Sequence, residues 1–479
     1  MNMKFSGLFA VLLAAVASIC APSLLTSCIS DAITTSPSDV LTFSRDTVSF
    51  DTVFTDVGTP TARLVVHNRA SKGINISSIS FRNENTCFRM NVDGVSGSDF
   101  HDVEIRAKDS IYMFVECLLP ETEGNKPYLM EDAIEFVTNG VRQSVLLEAW
   151  GQNVTRLRGV VLDSDMRLTA ERPYVVFDSL VVAPGRTLSI DPGVQLLFHD
   201  KAYMHVQGTL LAEGSADRKI DMRGDRIDNV LPDVSYDIMA GQWKGIRIAP
   251  ESFGNRLAYV DMRSTEHGLF LDSCSNTTQT KLTLYNSWLH NSQRHVLYAP
   301  YSRVEATGCC FSEAGGSVVA LYGGAFSFLQ CTFANNYLFA AIDGPLVGLW
   351  HTGPEDAEKT DLPYMKAEFD NCILYGLPSD LYDESLDGSQ VFFRYCSFKS
   401  EGENDDNFQN CLWDTDPMFR TVQEDYYFNY RLKADSPVLS AGDPALLTSA
   451  ADTDMDGVSR VAGGNPSLGA YQYVPEPED

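Results

Sequence analysis

Positive charge is scarce in this chain of 479 residues: 36 Lys and Arg stand against 64 Asp and Glu, a formal net charge of −28. A field of that sign repels phosphate backbones and argues against nucleic acid as a partner. Long hydrophobic runs are also lacking. The stretch Gly7 to Ile19 (GLFAVLLAAVASI) falls short of the roughly 20 apolar residues a membrane-spanning helix needs, and no second run of spanning length follows. The motifs G-x-S-x-G, H-E-x-x-H and G-x-x-x-x-G-K-[ST] are missing, so the nucleophile elbow, the zincin helix and the P-loop have no support. No C-x-x-C argues for zinc. What is present is an ordinary globular apolar fraction of 44%. The length allows two or three domains, or one small domain and a solenoid.

The first residues read as a targeting segment. Lys4 precedes the short apolar stretch, and Leu25-Thr26-Ser27-Cys28 follows it. This tetrapeptide resembles the lipobox of bacterial lipoproteins. The resemblance implies a signal peptide over residues 1–27, acylation of Cys28, and an outer-membrane lipoprotein in a Gram-negative cell envelope, facing periplasm or exterior. Cys20 is the poorer choice because bulky Ile19 precedes it; an ordinary secretory peptide with an incidental Cys is the alternative. Several acyl chains on one Cys make a stable attachment, whereas one is marginal. Residues 28–39 read as a flexible polar tether. Of 11 cysteines, removing Cys20 and Cys28 leaves 11 − 2 = 9. An odd number outside the cytoplasm is incompatible with a complete intramolecular disulfide framework.

Residues 40–152 alternate apolar segments with turn signals, as in Thr61-Ala-Arg-Leu-Val-Val-His67, Ile74-Asn-Ile-Ser-Ser-Ile-Ser-Phe81 and Ser110-Ile-Tyr-Met-Phe-Val-Glu116. Strands at this spacing without a helical period predict a β-sandwich of about seven strands. With Ser49-Phe-Asp-Thr-Val-Phe-Thr-Asp-Val-Gly58 and Asn91-Val-Asp-Gly94, the segment resembles the immunoglobulin-like domains of bacterial envelope proteins. Cys87 and Cys117 fit either a bridge or two unpaired core thiols.

From about residue 172 the runs shorten, and a repeat emerges: Asn286-Ser287-Trp-Leu289, Gly308-Cys309-Cys-Phe311, Gln330-Cys331-Thr-Phe333, Asn371-Cys372-Ile-Leu374 and Tyr395-Cys396-Ser-Phe398. The second positions lie 22, 22, 41 and 24 residues apart. The interval of 41 fits two coils, or one coil interrupted by the polar stretch His351 to Lys366. A period near 22 with short strands predicts a β-solenoid over residues 172–410, in which stacked coils bury a continuous core. Cys309, Cys331, Cys372 and Cys396 then form a ladder of small buried thiols. Interstrand disulfides and a metal site are the competing readings; in-register parallel side chains point the same way and rarely reach a disulfide torsion.

Arg172-Pro-Tyr-Val-Val-Phe-Asp-Ser-Leu180, Ala183-Pro-Gly-Arg-Thr-Leu-Ser-Ile-Asp-Pro-Gly193, Gly208-Thr-Leu-Leu-Ala-Glu-Gly214 and Gly241-Gln-Trp-Lys-Gly-Ile-Arg-Ile248 resemble bacterial right-handed parallel β-helix proteins. Asp416-Pro-Met-Phe419, Tyr430-Arg-Leu432, Ala441-Gly-Asp443 and Leu468-Gly-Ala-Tyr471 are similar to the tail that often closes such solenoids. The resemblance implies an all-β chain: an immunoglobulin-like β-sandwich, a right-handed parallel β-helix, and a capping tail over residues 411–479. Residues 40–152 are expected to cover the N-terminal end of the solenoid and the tail the other, because unpaired ends aggregate. The fold is silent on function, since it hosts lyases, hydrolases, adhesins and scaffolds.

The chemistry is sparse. Asp452-Thr-Asp454-Met-Asp456-Gly457 copies the opening of an EF-hand loop, but its twelfth position is Gly463 rather than Glu. That rejects an EF-hand and leaves a looser calcium site at Asp452, Asp454 and Asp456 beside a plain polar turn. Carbohydrate-active β-helices need carboxylates, or a basic residue beside calcium, along one face. Asp261, Arg263, Glu266 and Asp272 are candidates, but sequence does not place them on one face, and the catalytic residue stays unknown. The acidic run Glu401 to Asp406 reads as a solvated loop. Three functions remain: a non-catalytic envelope protein binding polysaccharide or protein along the solenoid, a polysaccharide lyase or glycoside hydrolase, and an assembly component of an envelope complex. They are ranked in that order.

Overall fold

The structure is a computed structural model that describes residues 32–475 except 232–233, 275, 277, 351–364, 384–389 and 425–426. The leader, Cys28 and most of the stretch His351 to Lys366 therefore lie outside the described residues. The chain divides into two units, Met1–Gln152 and Asn153–Asp479. Every regular element of four or more residues is a strand among the described residues, and no described helix is long and apolar enough to cross a membrane.

The first unit is a sandwich of two five-stranded sheets. Leu41–Phe43, Ala62–Asn68, Ser110–Cys117, Phe88–Val92 and Val95–Gly97 form one, antiparallel throughout. The other holds Thr47–Phe54, Val141–Gln152, Tyr128–Thr138, Ile74–Phe81 and Asp99–Ile105, with Thr47–Phe54 parallel to Val141–Gln152. Alternation explains the packing: in Ser110–Cys117, Ile111, Met113, Val115 and Cys117 point inward while their neighbours face out. Ten strands replace the seven expected, since three-residue strands such as Leu41–Phe43 and Val95–Gly97 are too short to carry a period. Cys87 and Cys117 are free thiols with their sulfurs 3.8 Å apart.

The second unit is a parallel β-helix. Each coil lays one strand on each of three faces, as in Arg303–Thr307, Cys310–Ala314 and Val319–Tyr322, and each strand pairs in parallel with its equivalent one coil on. The ladder starts at Thr155, upstream of residue 172, where Thr155–Leu162 pairs with Tyr174–Val182. The basic residues Arg156 and Arg158 on that strand interrupt the apolar signal. The 41-residue interval is a single coil, because Ala325–Leu329 pairs directly with Lys366–Asp370.

The corner between the first and second faces explains the repeat. Asn286, Gly308, Gln330, Asn371, Tyr395 and Asn410 all have positive φ, between 43° and 68°, a conformation that Asn and Gly tolerate best. The next residue turns inward: Ser287, Cys309, Cys331, Cys372, Cys396 and Cys411 are buried, and all nine cysteines of the described residues are free. Their hydrogens have a use. Cys372 Sγ donates to Asp370 O at 3.3 Å, Cys396 Sγ to Phe369 O at 3.2 Å, and Ser287 Oγ to Tyr285 O at 2.9 Å. Next to this ladder, Phe328, Phe369, Phe393 and Phe408 stack at centroid spacings of 4.9, 4.5 and 5.1 Å, close to the ~4.8 Å rise per coil.

Trp413 stacks on Phe398 at 4.6 Å beside Cys411. From Phe419 onward the tail runs back along the flank of the second face rather than over the end. Phe419, Tyr430, Leu432, Val438, Leu468 and Tyr471 are buried with Cys310, Ala334 and Ile373, which face outward from the coils. The corner side chains hold it there: Asn286 Nδ2 donates to Asp454 O at 3.0 Å, and Asn371 both donates to Asp443 O and accepts from Asp443 N.

Candidate functional site

The outward positions of the second face change character along the solenoid. Asp221, Asp261, Trp288, Cys310, Thr332 and Ile373 form one in-register column. The later members are apolar or small and lie under the tail; the earlier ones are charged. A cleft of about 220 Å³ opens where the two stretches meet. Its floor carries Asp261, Arg263, Trp288, His290 and Glu313. Its walls come from departures from the repeat. Asp237 and Ile238 arrive on the long excursion between Ile220–Gly224 and Gly245–Ile248, Tyr337 to Phe339 on a loop where other coils make a short turn, and Tyr427 and Phe428 on the tail hairpin.

Arg263 organises the upstream half. Its Nη1 reaches Asp221 Oδ1 at 2.7 Å and Asp261 Oδ1 at 2.9 Å, and its Nε reaches Asp237 Oδ1 at 2.9 Å. Arg223 Nη1 meets the same Asp237 oxygen at 2.7 Å, and His290 Nε2 meets Asp261 Oδ1 at 3.1 Å. Burial opposes the charged form of Asp261, but Arg263 and His290 outweigh it and hold the carboxyl well below the usual range. At Asp221 burial wins over Arg263 and pushes the carboxyl up.

The downstream half holds Glu313. It is 2% exposed and has φ of +48°. Ser264 and Asn291 hold the equivalent place in the two preceding coils, with φ of +63° and +56°. Glu is an unusual choice for a left-handed backbone, and strained non-glycine backbone concentrates at functional sites. Tyr430 Oη donates to Glu313 Oε1, while Oε2 is buried without a partner. Burial pushes the Glu313 carboxyl up, against the opposing pull of Ser312 and Tyr430. Trp288 bridges the halves: its ring stacks on His290 at 4.0 Å and its Nε1 donates to Ser312 Oγ at 2.8 Å.

Of the four carbohydrate-site candidates named from sequence, the fold brings Asp261 and Arg263 together and leaves two elsewhere. Glu266 pairs with Lys201 at 3.3 Å, and Asp272 takes the Arg247 guanidinium at 2.8 Å. Sequence reasoning missed Asp221, Asp237, Glu313 and Tyr430. Only Glu313 left a signal, as the charged residue among Ser264, Asn291, Asn335 and Gly376 at its repeat position. Asp452, Asp454 and Asp456 do not form a calcium cage. Asp454 Oδ1 accepts from the backbone of Asp456 and Val458 and its Oδ2 from Gln472 N, so its lone pairs build the turn. Asp456 pairs with Arg431 at 2.6 Å and Lys219 at 3.6 Å. Among the described residues no three His, Cys, Asp or Glu side chains converge as a metal site would require.

No protein-family model matches the chain, and no curated protein matches its sequence. Solved structures give slight likenesses. A family 123 glycoside hydrolase from Clostridium perfringens shows 12% identity and a TM-score of 0.17, covering 25% of this chain and 26% of that one. A protein of unknown function from Porphyromonas gingivalis W83 gives 12% identity and 0.18, covering 26% and 59%. The ASH/PapD-like domain of human CEP192 gives 10% and 0.18, covering 25% and 89%. The chain thus spans about a quarter of that hydrolase. At these scores the likenesses carry no argument.

Proposed function

We propose that this chain is a lipid-anchored protein of a Gram-negative outer membrane, attached through Cys28, that binds a saccharide in the second-face cleft. One observation carries the binding half: a cleft walled by Trp288, Tyr337, Phe339, Tyr427 and Phe428 and floored by the charged groups of Asp261 and Arg263. Aromatic faces beside convergent hydrogen-bonding groups suit a pyranose, which has apolar faces and a hydroxyl rim. The membrane half rests on Leu25-Thr26-Ser27-Cys28.

The test is a glycan-array screen of residues 29–479, run with and without calcium, and with the Trp288→Ala variant alongside. Binding that Trp288→Ala weakens and calcium leaves unchanged supports the reading. An array that stays silent moves the function to an envelope protein partner. Mass spectrometry of the purified membrane fraction should find diacylglyceryl-modified Cys28 at the mature N-terminus; an unmodified start elsewhere removes the anchor.

A further inference from the structure

We propose that a pocket on the third face binds a sugar carrying a negative charge, as carboxylate or phosphate; the inference is independent of the second-face cleft. The pocket holds about 500 Å³, within the roughly 300–1,000 Å³ of small-molecule sites. It exists because side chains are missing from one outward column. Tyr203 is followed in register by Gly245, and Gly245 by Gly268, so the sheet is bare for two coils. The neighbouring column, His205, Arg247 and Phe270, stands along the gap as a wall. Lys244 and His267, each preceding one of the glycines, close the other side. The downstream wall is held in place. Phe270 stacks on Tyr298 at 4.6 Å, and the row of rings continues through Tyr322 to Trp350 at 5.3 and 4.6 Å.

Charge selects the ligand. The chain carries −28 overall, yet among the described residues this pocket is lined by Lys244 and Arg247 and by no carboxylate. The acids at its rim are already engaged. Glu266 pairs with Lys201 at 3.3 Å and His267 at 3.4 Å, and Asp272 takes Arg247 Nε and Nη2 at 3.0 and 2.8 Å. That clamp fixes the Arg247 fork and leaves its Nη1 for a ligand. Lys244 has no ion pair among the described residues; its Nζ lies 5.7 Å from the Tyr203 ring centre. Burial lowers the His267 imidazole, Glu266 opposes it, and Arg294, Lys244 and Lys201 add to the lowering, so cations outnumber anions around that ring. Tyr203 is 37% exposed. An aromatic face beside two cations matches the apolar side and the charge of an acidic pyranose. A neutral sugar leaves Lys244 without a counter-charge, and a bare anion leaves the rings unused.

The experiment titrates the full chain, purified in detergent, with a uronic-acid trisaccharide, the same trisaccharide with its carboxyls reduced to alcohols, a hexose 6-phosphate and inorganic phosphate. Binding of either charged sugar supports the proposal, and the one that binds names the anion. Lys244→Met, at an exposed position where folding is not at stake, should weaken that binding about tenfold, the worth of one charge-assisted hydrogen bond. Tyr203→Ala should weaken it too, and Trp288→Ala should leave it unchanged. Equal binding of the carboxyl-reduced trisaccharide overturns the role of charge, and inorganic phosphate binding as tightly as the sugars overturns the role of the rings. Binding that follows Trp288 and ignores Lys244 places the sugar in the second-face cleft and removes this pocket. Silence of both charged sugars at millimolar concentration removes it as well, while the second-face reading keeps its own test.

Discussion

At the scale of single residues, the molecule spends stability on two buried polar groups. Glu313 is one. Its folded carboxyl lies above the ordinary value of 4.5, with burial the first cause. A group raised in the folded state favours folding fully below its unfolded value, and that contribution is lost as pH rises through the folded one. Ser312, Tyr430, His290 and Asn336 face it and soften the effect without reversing it. Glu313→Gln, which keeps the shape and drops the charge, should therefore gain on the wild type with rising pH. The difference in Tm should be more positive at pH 8 than at pH 4, by differential scanning fluorimetry; a pH-independent difference would show that the carboxyl does not titrate in this range. Arg460 is the other. It is 1% exposed, and burial pushes its guanidinium down to about 10. Its Nη1 donates to Gln330 Oε1 and Gly469 O at 3.1 Å, and its Nη2 to Ala470 O at 2.6 Å. Arg460→Met strands three acceptors, each costing about 1–3 kcal/mol. Tail stability in urea should fall by about 3 kcal/mol; an unchanged transition would mean the tail is not held there.

At the scale of elements, the corner between faces is what made the solenoid legible. A one-residue bend requires positive φ, hence Asn286, Gly308, Asn371 and Asn410, and the following inward residue must be small. The periodic Cys is the sequence image of that geometry. Its polarity was not legible, because sequence alone does not show that the bend turns carbonyls such as Asp370 O toward the thiol. Ser287 in the same ladder supports the hydrogen bond as the selected property. Cys331→Ser should accordingly cost less than Cys331→Val, which fits the space but lacks a donor, by about 1 kcal/mol in chemical denaturation. Burial also pushes the thiols of Cys309, Cys331, Cys372 and Cys396 well above their usual range. They should resist iodoacetamide at pH 8 until denaturant is added, whereas half-buried Cys87 should react. Rapid native labelling of the ladder would contradict its inertness. The tail was readable as a unit but not in its placement, because its contacts are with outward residues such as Cys310 and Ile373 that carry no marker in the chain.

At the scale of the whole molecule, order along the solenoid axis decides where chemistry sits. One flank of the β-helix is charged early and apolar late, and the tail covers the apolar part. The cleft lies at the boundary, and its walls come from the three places where the chain departs from its period. That is why the fold was readable and the site was not: a repeat is a local signal, whereas Asp221, Asp237, Asp261, Glu313 and Tyr430 meet only after the coils have stacked. The central claim is that this cleft holds a saccharide. The measurement that tests it most directly is an isothermal titration of the strongest array-positive oligosaccharide into wild-type protein and Trp288→Ala. The account predicts that affinity falls about tenfold, the loss of one stacking contact of about 1.4 kcal/mol. Affinity unchanged by the substitution, or no saccharide bound at all, would contradict it.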